Sequence, residues 1–182
     1  YTDESSQVDP INVYALTKAH SEDQVLAYCP SALVIRTNFF GWGTSYRSSM
    51  SDKIINALKV GHSYSGFSDV FFTPILASDF ALAVLEMIEK KAYGIFNLVS
   101  DERISKYEFA KLVAKTFNYP SSLIQSISVE DNSKLVKRPK DMSLSNLKAQ
   151  KLLCRGLGTA AEGLRTLQLQ QLNGFQKELQ SL

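Results

Sequence analysis

Apolar positions along the chain fall into two rhythms. A run with helical spacing begins at Val13 and continues to Tyr28, where Cys29-Pro30 stops it. Residues 32–36, Ala-Leu-Val-Ile-Arg, are nearly continuous in apolar character, which predicts a strand buried on both faces, as in a parallel sheet. Residues 37–49 read as a loop punctuated by Gly41 and Gly43. A helix is predicted over 52–59, ending at Gly61, and a short strand over 70–73 before Pro74. Phe80, Val84, Met87 and Ile88 lie on one face of a helix over 78–90, and residues 95–99 read as a second buried strand. Ser105 followed by Glu108 is a capping-box signature, and Phe109, Leu112, Val113 and Phe117 continue it as a helix to about residue 118. A strand over 123–129, a basic loop over 134–141 around Pro139 and a short helix over 146–153 come next. Thr159 and Glu162 form a second capping box, and Leu164, Leu167, Leu172, Phe175 and Leu179 predict one last amphipathic helix. Strands alternating with helices place the chain in the α/β class.

Composition narrows the function classes. The 182 residues suffice for a real core. With 45% apolar and 21% charged residues, disorder is not the default. A net charge of +2 is too small to argue for nucleic acid or an anionic membrane surface. No apolar run approaches the length that spans a bilayer, and the polar opening, Tyr1 to Ser6, carries no signal-peptide pattern. Cys29 and Cys154 lack metal-ligand spacing and fit a reducing cytoplasm. His20 and His62 have no partners at ligand spacing, so no metal site is expected.

The chemical signal is Tyr14-Ala15-Leu16-Thr17-Lys18. Residues four apart on a helix share a face. An ammonium beside a phenol favours the phenolate, and such a tyrosine can pass a proton to a carbonyl oxygen while a hydride reaches its carbon. The competing reading of the same residues is a half-buried aromatic beside a solvated lysine.

The stretch Asp9-Pro10-Ile11-Asn12-Val13-Tyr14 to Lys18, followed by Leu33-Val34-Ile35-Arg36-Thr37-Asn38-Phe39-Phe40-Gly41, resembles the extended short-chain dehydrogenase/reductase family, in its dTDP-4-dehydrorhamnose reductase branch. The likeness continues through Phe72-Thr73-Pro74-Ile75, Ser78-Asp79-Phe80-Ala81, residues 94–99, Tyr107 to Ala110, and Arg138-Pro139 with Met142 to Asn146. It implies a remnant of a Rossmann-like parallel sheet plus a small C-terminal α/β substrate-binding part. Residues 1–60 would be the end of the Rossmann-like domain and 61–182 the substrate part, with segments that interleave.

The resemblance also implies roles. Tyr14 is the general acid. Lys18 and Asn38 approach the nicotinamide of NADP or NAD, and Lys18 holds its ribose. Phe39 stands where the family places a tryptophan against the sugar, a departure that leaves the substrate's identity open; loop anchoring is the alternative for Phe39 and Phe40. Arg138 sits near the diphosphate of a nucleotide-sugar substrate, or else, with Lys134, Lys137 and Lys140, in a solvated basic loop. A glycine-rich phosphate turn is not encoded in these residues; Gly41-Trp42-Gly43 follows the catalytic helix and lacks a third glycine. The nucleotide-binding half is therefore expected from a missing segment or a partner, and the chain alone is expected to be inactive. Three functions stand side by side: part of a nucleotide-sugar reductase, part of an epimerase or dehydratase, or a non-catalytic binding subunit of the same fold.

Overall fold

Asn12 opens the first helix. Its backbone is extended and its side-chain oxygen accepts the Ala15 N–H at 2.9 Å, which satisfies one of the donors that every helix start leaves over. The computed structural model, which describes residues 1–131 and 139–181, then runs α1 (Val13–Tyr28), β1 (Leu33–Arg36), β2 (Phe39–Phe40), α2 (Met50–Lys59), β3 (Tyr64–Phe67), β4 (Phe71–Phe72), β5 (Ile75–Leu76) and α3 (Ala77–Glu89). There follow β6 (Gly94–Asn97), β7 (Ile104–Ser105), α4 (Lys106–Thr116), β8 (Ile124–Ile127), α5 (Leu147–Leu153), α6 (Ala160–Leu172) and α7 (Phe175–Gln180).

The strands pair two by two. β1 lies parallel to β6, with Leu33 opposite Gly94 and Arg36 opposite Asn97. β2 is parallel to β5, β3 is parallel to β8, and β4 is antiparallel to β7. The architecture is α/β with short parallel pairs. One core gathers around α2, α4 and α6, where the Phe109 ring meets Phe40 at 5.1 Å and Phe72 at 5.5 Å, both edge-on. The second joins Ala83 and Met87 of α3 to Phe96, Leu98 and Leu153, with Leu33 and Ile35 packed against them. Gly163 lets α6 close on the strands, because a Cβ there would stand 2.9 Å from the Phe40 ring.

Three expectations change. Residues 32–36 read as covered on both faces, yet every residue of β1 is only half-buried. Leu33 and Ile35 face the second core, while α1, which contributes no fully buried residue, lies against the other face. The last helix is two helices, because Gly174 takes a left-handed φ of +83° between α6 and α7. The loop expected over 37–49 contains β2, and β3 was not expected, since Gly66 interrupts its pattern; a Cβ there would meet the Tyr107 backbone at 2.7 Å.

Segment 139–145 is tied down at Asp141. Its carboxylate accepts the Arg103 guanidinium at 3.1 and 2.8 Å and the Ser143 N–H and hydroxyl at 2.9 and 2.6 Å. Burial pushes this carboxyl up, but the Arg103 and Ser143 bonds outweigh burial and hold it at about 2, against an ordinary 3.8. A depressed folded-state value stabilises the fold above pH 3.8, and that contribution is lost as pH falls through about 2. Because 47% of the Asp141 side chain is exposed, solvent screening limits the contribution to about 1 kcal/mol. Asp141→Asn should therefore be less stable than the parent chain at pH 6 and nearly equal to it at pH 2. Urea midpoints at the two pH values measure this, and an equal loss at both contradicts it.

Candidate active site

Tyr14, Lys18 and Glu22 follow one another at four-residue intervals along α1, so they form a stripe on one side of the helix. Glu22 fixes where that stripe points. Its carboxylate receives a two-pronged contact from Arg36, Nε at 3.1 and 2.9 Å and Nη2 at 2.7 Å, and the pair is largely enclosed. Arg36 is the last residue of β1. The end of α1 feeds the start of β1, so the helix runs back along the strand. Tyr14 lies eight residues before Glu22, about 12 Å further along the axis, beyond the C-terminal end of β1. Ligands of open α/β sheets bind at that end of the strands.

The Tyr14 ring is 72% exposed, and the Lys18 Nζ stands 5.8 Å from its centroid, a cation–π contact. The structure thus brings Tyr14 and Lys18 together. Lys18 forms no ion pair among the described residues, so its donors face solvent or a ligand.

Asn38 sits just past β1, and its side chain is engaged. Its Nδ2 donates to the Thr37 carbonyl at 3.1 Å, and its Oδ1 accepts the Thr73 N–H and hydroxyl, both at 3.3 Å. Phe40 is 3% exposed and belongs to the core; Phe39 is 64% exposed and touches Phe80 at 6.1 Å between ring centroids. Arg138, Lys134 and Lys137 lie outside the described residues. Lys140, of the same basic loop, is held by Glu130 and by Asp69 at 3.8 Å.

A hollow of about 340 Å³ lies at the start of α4, lined by Glu102, Arg103, Ile104, Glu108, Lys111 and Leu112. None of the candidate residues lines it. Its Arg103 is committed to Asp141 and its Glu108 to the Ser105 cap, so it offers little to a ligand.

Sequence reasoning passed over Thr73, Asn97, Thr2 and Glu4. Thr73 and Asn97 are fully buried. The one available signal was a polar residue inside each apolar run, Asn97 between Phe96 and Leu98 and Thr73 after Phe72.

The family model described as RmlD substrate binding domain matches residues 1–169. A probable low-salt glycan biosynthesis reductase of Haloferax volcanii is 24% identical over 155 residues, covering 82% of this chain and 52% of that protein. Methionine adenosyltransferase 2 subunit beta of Danio rerio is 25% identical over 154 residues, 78% and 46% of the two chains. dTDP-4-dehydrorhamnose reductase of Aggregatibacter actinomycetemcomitans is 25% identical over 159 residues, 81% and 53%. The chain spans about half the length of these relatives. Among solved structures, dTDP-4-dehydrorhamnose reductase of Bacillus anthracis in complex with NADP superposes with a TM-score of 0.83 at 22% identity, over 93% of this chain and 59% of that one. A hypothetical dTDP-4-dehydrorhamnose reductase of Sulfolobus tokodaii gives 0.75 at 30% identity, over 88% and 55%.

Proposed function

The chain belongs to the RmlD substrate-binding domain family, and from that premise we propose that it is the proton-donating, sugar-binding part of an NAD(P)-dependent reductase acting on a keto group of a nucleotide-activated sugar, of the kind that serves dTDP-rhamnose biosynthesis. The observation that carries the reading is the Tyr14–Lys18 pair, exposed on α1 beyond the C-terminal end of β1.

NADPH or NADH, when bound, supplies the hydride to the carbonyl carbon. Tyr14 gives its phenolic proton to the carbonyl oxygen, so that a ketone becomes an alcohol. Lys18 lies beside the phenol and has donors to spare for ribose hydroxyls. Asn38 orders the loop that reaches the nicotinamide, Phe39 offers an exposed ring to the sugar, and Arg138 takes the diphosphate. The pyrophosphate is another matter. Helices α2, α4 and α6 each begin on a capping box whose own carboxylate, Asp52, Glu108 or Glu162, takes backbone donors, and α3 carries Asp79 in its first turn. An incoming phosphate there meets a carboxylate. The first turns of α1 and α5 carry no acid; in the proposed assembly the cofactor's phosphates go to a further segment or a partner that supplies the nucleotide-binding half.

Residues 1–60 would close the Rossmann-like part and 61–182 form the substrate part, with segments that interleave; the pairing of β6 with β1 fits the interleaving. Among the described residues no helix is long and apolar enough to cross a membrane. The exposed, unpaired thiols of Cys29 and Cys154 support a place in the reducing cytoplasm.

A test is Lys18→Ala in the assembly that contains the nucleotide-binding half. NADPH should bind about 10- to 100-fold more weakly, the usual cost of losing hydrogen bonds from a charged group. An unchanged Kd removes Lys18 from the cofactor site. The second reading, a non-catalytic binding subunit, is favoured by the likeness to methionine adenosyltransferase 2 subunit beta. Under it, hydride transfer is absent from the assembly as well.

A further inference from the structure

Four stretches of chain meet at the Asn38 loop: residues 2–4, the loop itself, Thr73 between β4 and β5, and residues 143–145. A continuous series of hydrogen bonds joins them. Thr73, fully buried, donates its hydroxyl to Asn38 Oδ1 at 3.3 Å and accepts the Leu144 N–H at 3.2 Å on the same oxygen. One hydroxyl proton and one lone pair account for both bonds. Leu144 forms a parallel bridge with Thr2, whose N–H donates to the Ser143 carbonyl and whose carbonyl accepts the Ser145 N–H, both at 2.9 Å. Asn97, also fully buried, divides its two amide hydrogens between the Thr2 carbonyl at 3.1 Å and the Ser145 carbonyl at 3.0 Å. Its backbone N–H goes to Glu4 Oε1 at 2.8 Å.

We infer that Thr73 and Asn97 are positioning residues: they lock residues 2–4, the Asn38 loop and residues 143–145 into one frame. The inference rests on the proposed function, because only then does the Asn38 loop held by this frame face a cofactor. Both side chains are fully buried, away from solvent. Thr73 spends its donor and an acceptor, and Asn97 both amide hydrogens, inside the series, while Asn97 Oδ1 has no partner among the described residues. Packing alone does not call for them, since valine fills the volume of threonine and leaves Leu144 without its acceptor.

The test needs no ligand, so it stands or falls independently of the proposed activity. Native-state amide exchange is followed by NMR on the 182-residue chain and its Thr73→Val, Thr73→Ser and Asn97→Asp variants. Thr73→Val should speed exchange about tenfold at Leu144, the loss of roughly one hydrogen bond. The increase should extend to Thr2 and Ser145, and leave Val113 and Ala114 of α4 unchanged. Thr73→Ser should restore the parent pattern. Asn97→Asp, which sets a carboxylate against two carbonyls, should produce the same pattern from the other end and carries the test if Thr73→Val does not fold. Faster exchange confined to the residue next to the substitution, or spread equally over α4, overturns the inference.

Discussion

Tyr14→Phe is expected to lower turnover of a keto-sugar nucleotide by about 10²–10⁴, the range for losing a positioned general acid. The substitution removes one oxygen. The ring, its contact with Lys18 and the docking of α1 through Glu22 and Arg36 all remain. With the tyrosine 72% exposed, the change leaves no cavity in either core. The loss should therefore fall on kcat, while KM for the sugar nucleotide changes little. NADPH oxidation in the assembly that supplies the nucleotide-binding half measures it. Turnover within about threefold of the parent's takes Tyr14 out of the mechanism. A rise in KM alongside the fall in kcat, with a lower Tm, points instead to a displaced helix.

What could be read from the sequence was local. α1 runs Val13–Tyr28 and stops at Cys29-Pro30 as expected, while its Asn12 cap was not foreseen. The boxes at Ser105–Glu108 and Thr159–Glu162 are formed as their spacing predicts, because both partners lie within one turn. Tyr14 and Lys18 meet for the same reason. The start of α2 was placed two residues late: its box uses Asp52 instead of a glutamate, and the helix begins at Met50. What stayed hidden depends on distant segments. The two-residue strands β2 and β5 exist only as each other's partners. Two of the partners of Asn97, Thr2 and Glu4, lie more than 90 residues away in the chain. No periodicity reports such a bond. Nor did the apolar run at 32–36 disclose that β1 has a single strand neighbour, β6, among the described residues, which leaves it half-buried. An edge of that kind invites pairing with another strand, in keeping with the proposal that a further α/β segment completes the sheet.

On the proposed function labour is divided: residues 1–182 would supply the proton donor and the ribose-binding lysine, and another segment would hold the pyrophosphate. The pyrophosphate is the charged anchor of a nicotinamide dinucleotide, and its usual cradle is a glycine-rich turn at a helix N-terminus. Here α2, α4 and α6 open on their own carboxylates. Tyr14 and Lys18 can engage the nicotinamide ribose alone, at a site where the phenol is 72% exposed and water competes for each hydrogen bond. Calorimetric titration of the purified chain with NADPH, and in parallel with NADH, is the direct measurement. The division of labour predicts no saturable heat below about 1 mM, that is, a binding free energy weaker than about −4 kcal/mol. Saturable micromolar binding by the monomer, abolished by Lys18→Ala, would show a complete cofactor site within these residues and contradict the claim.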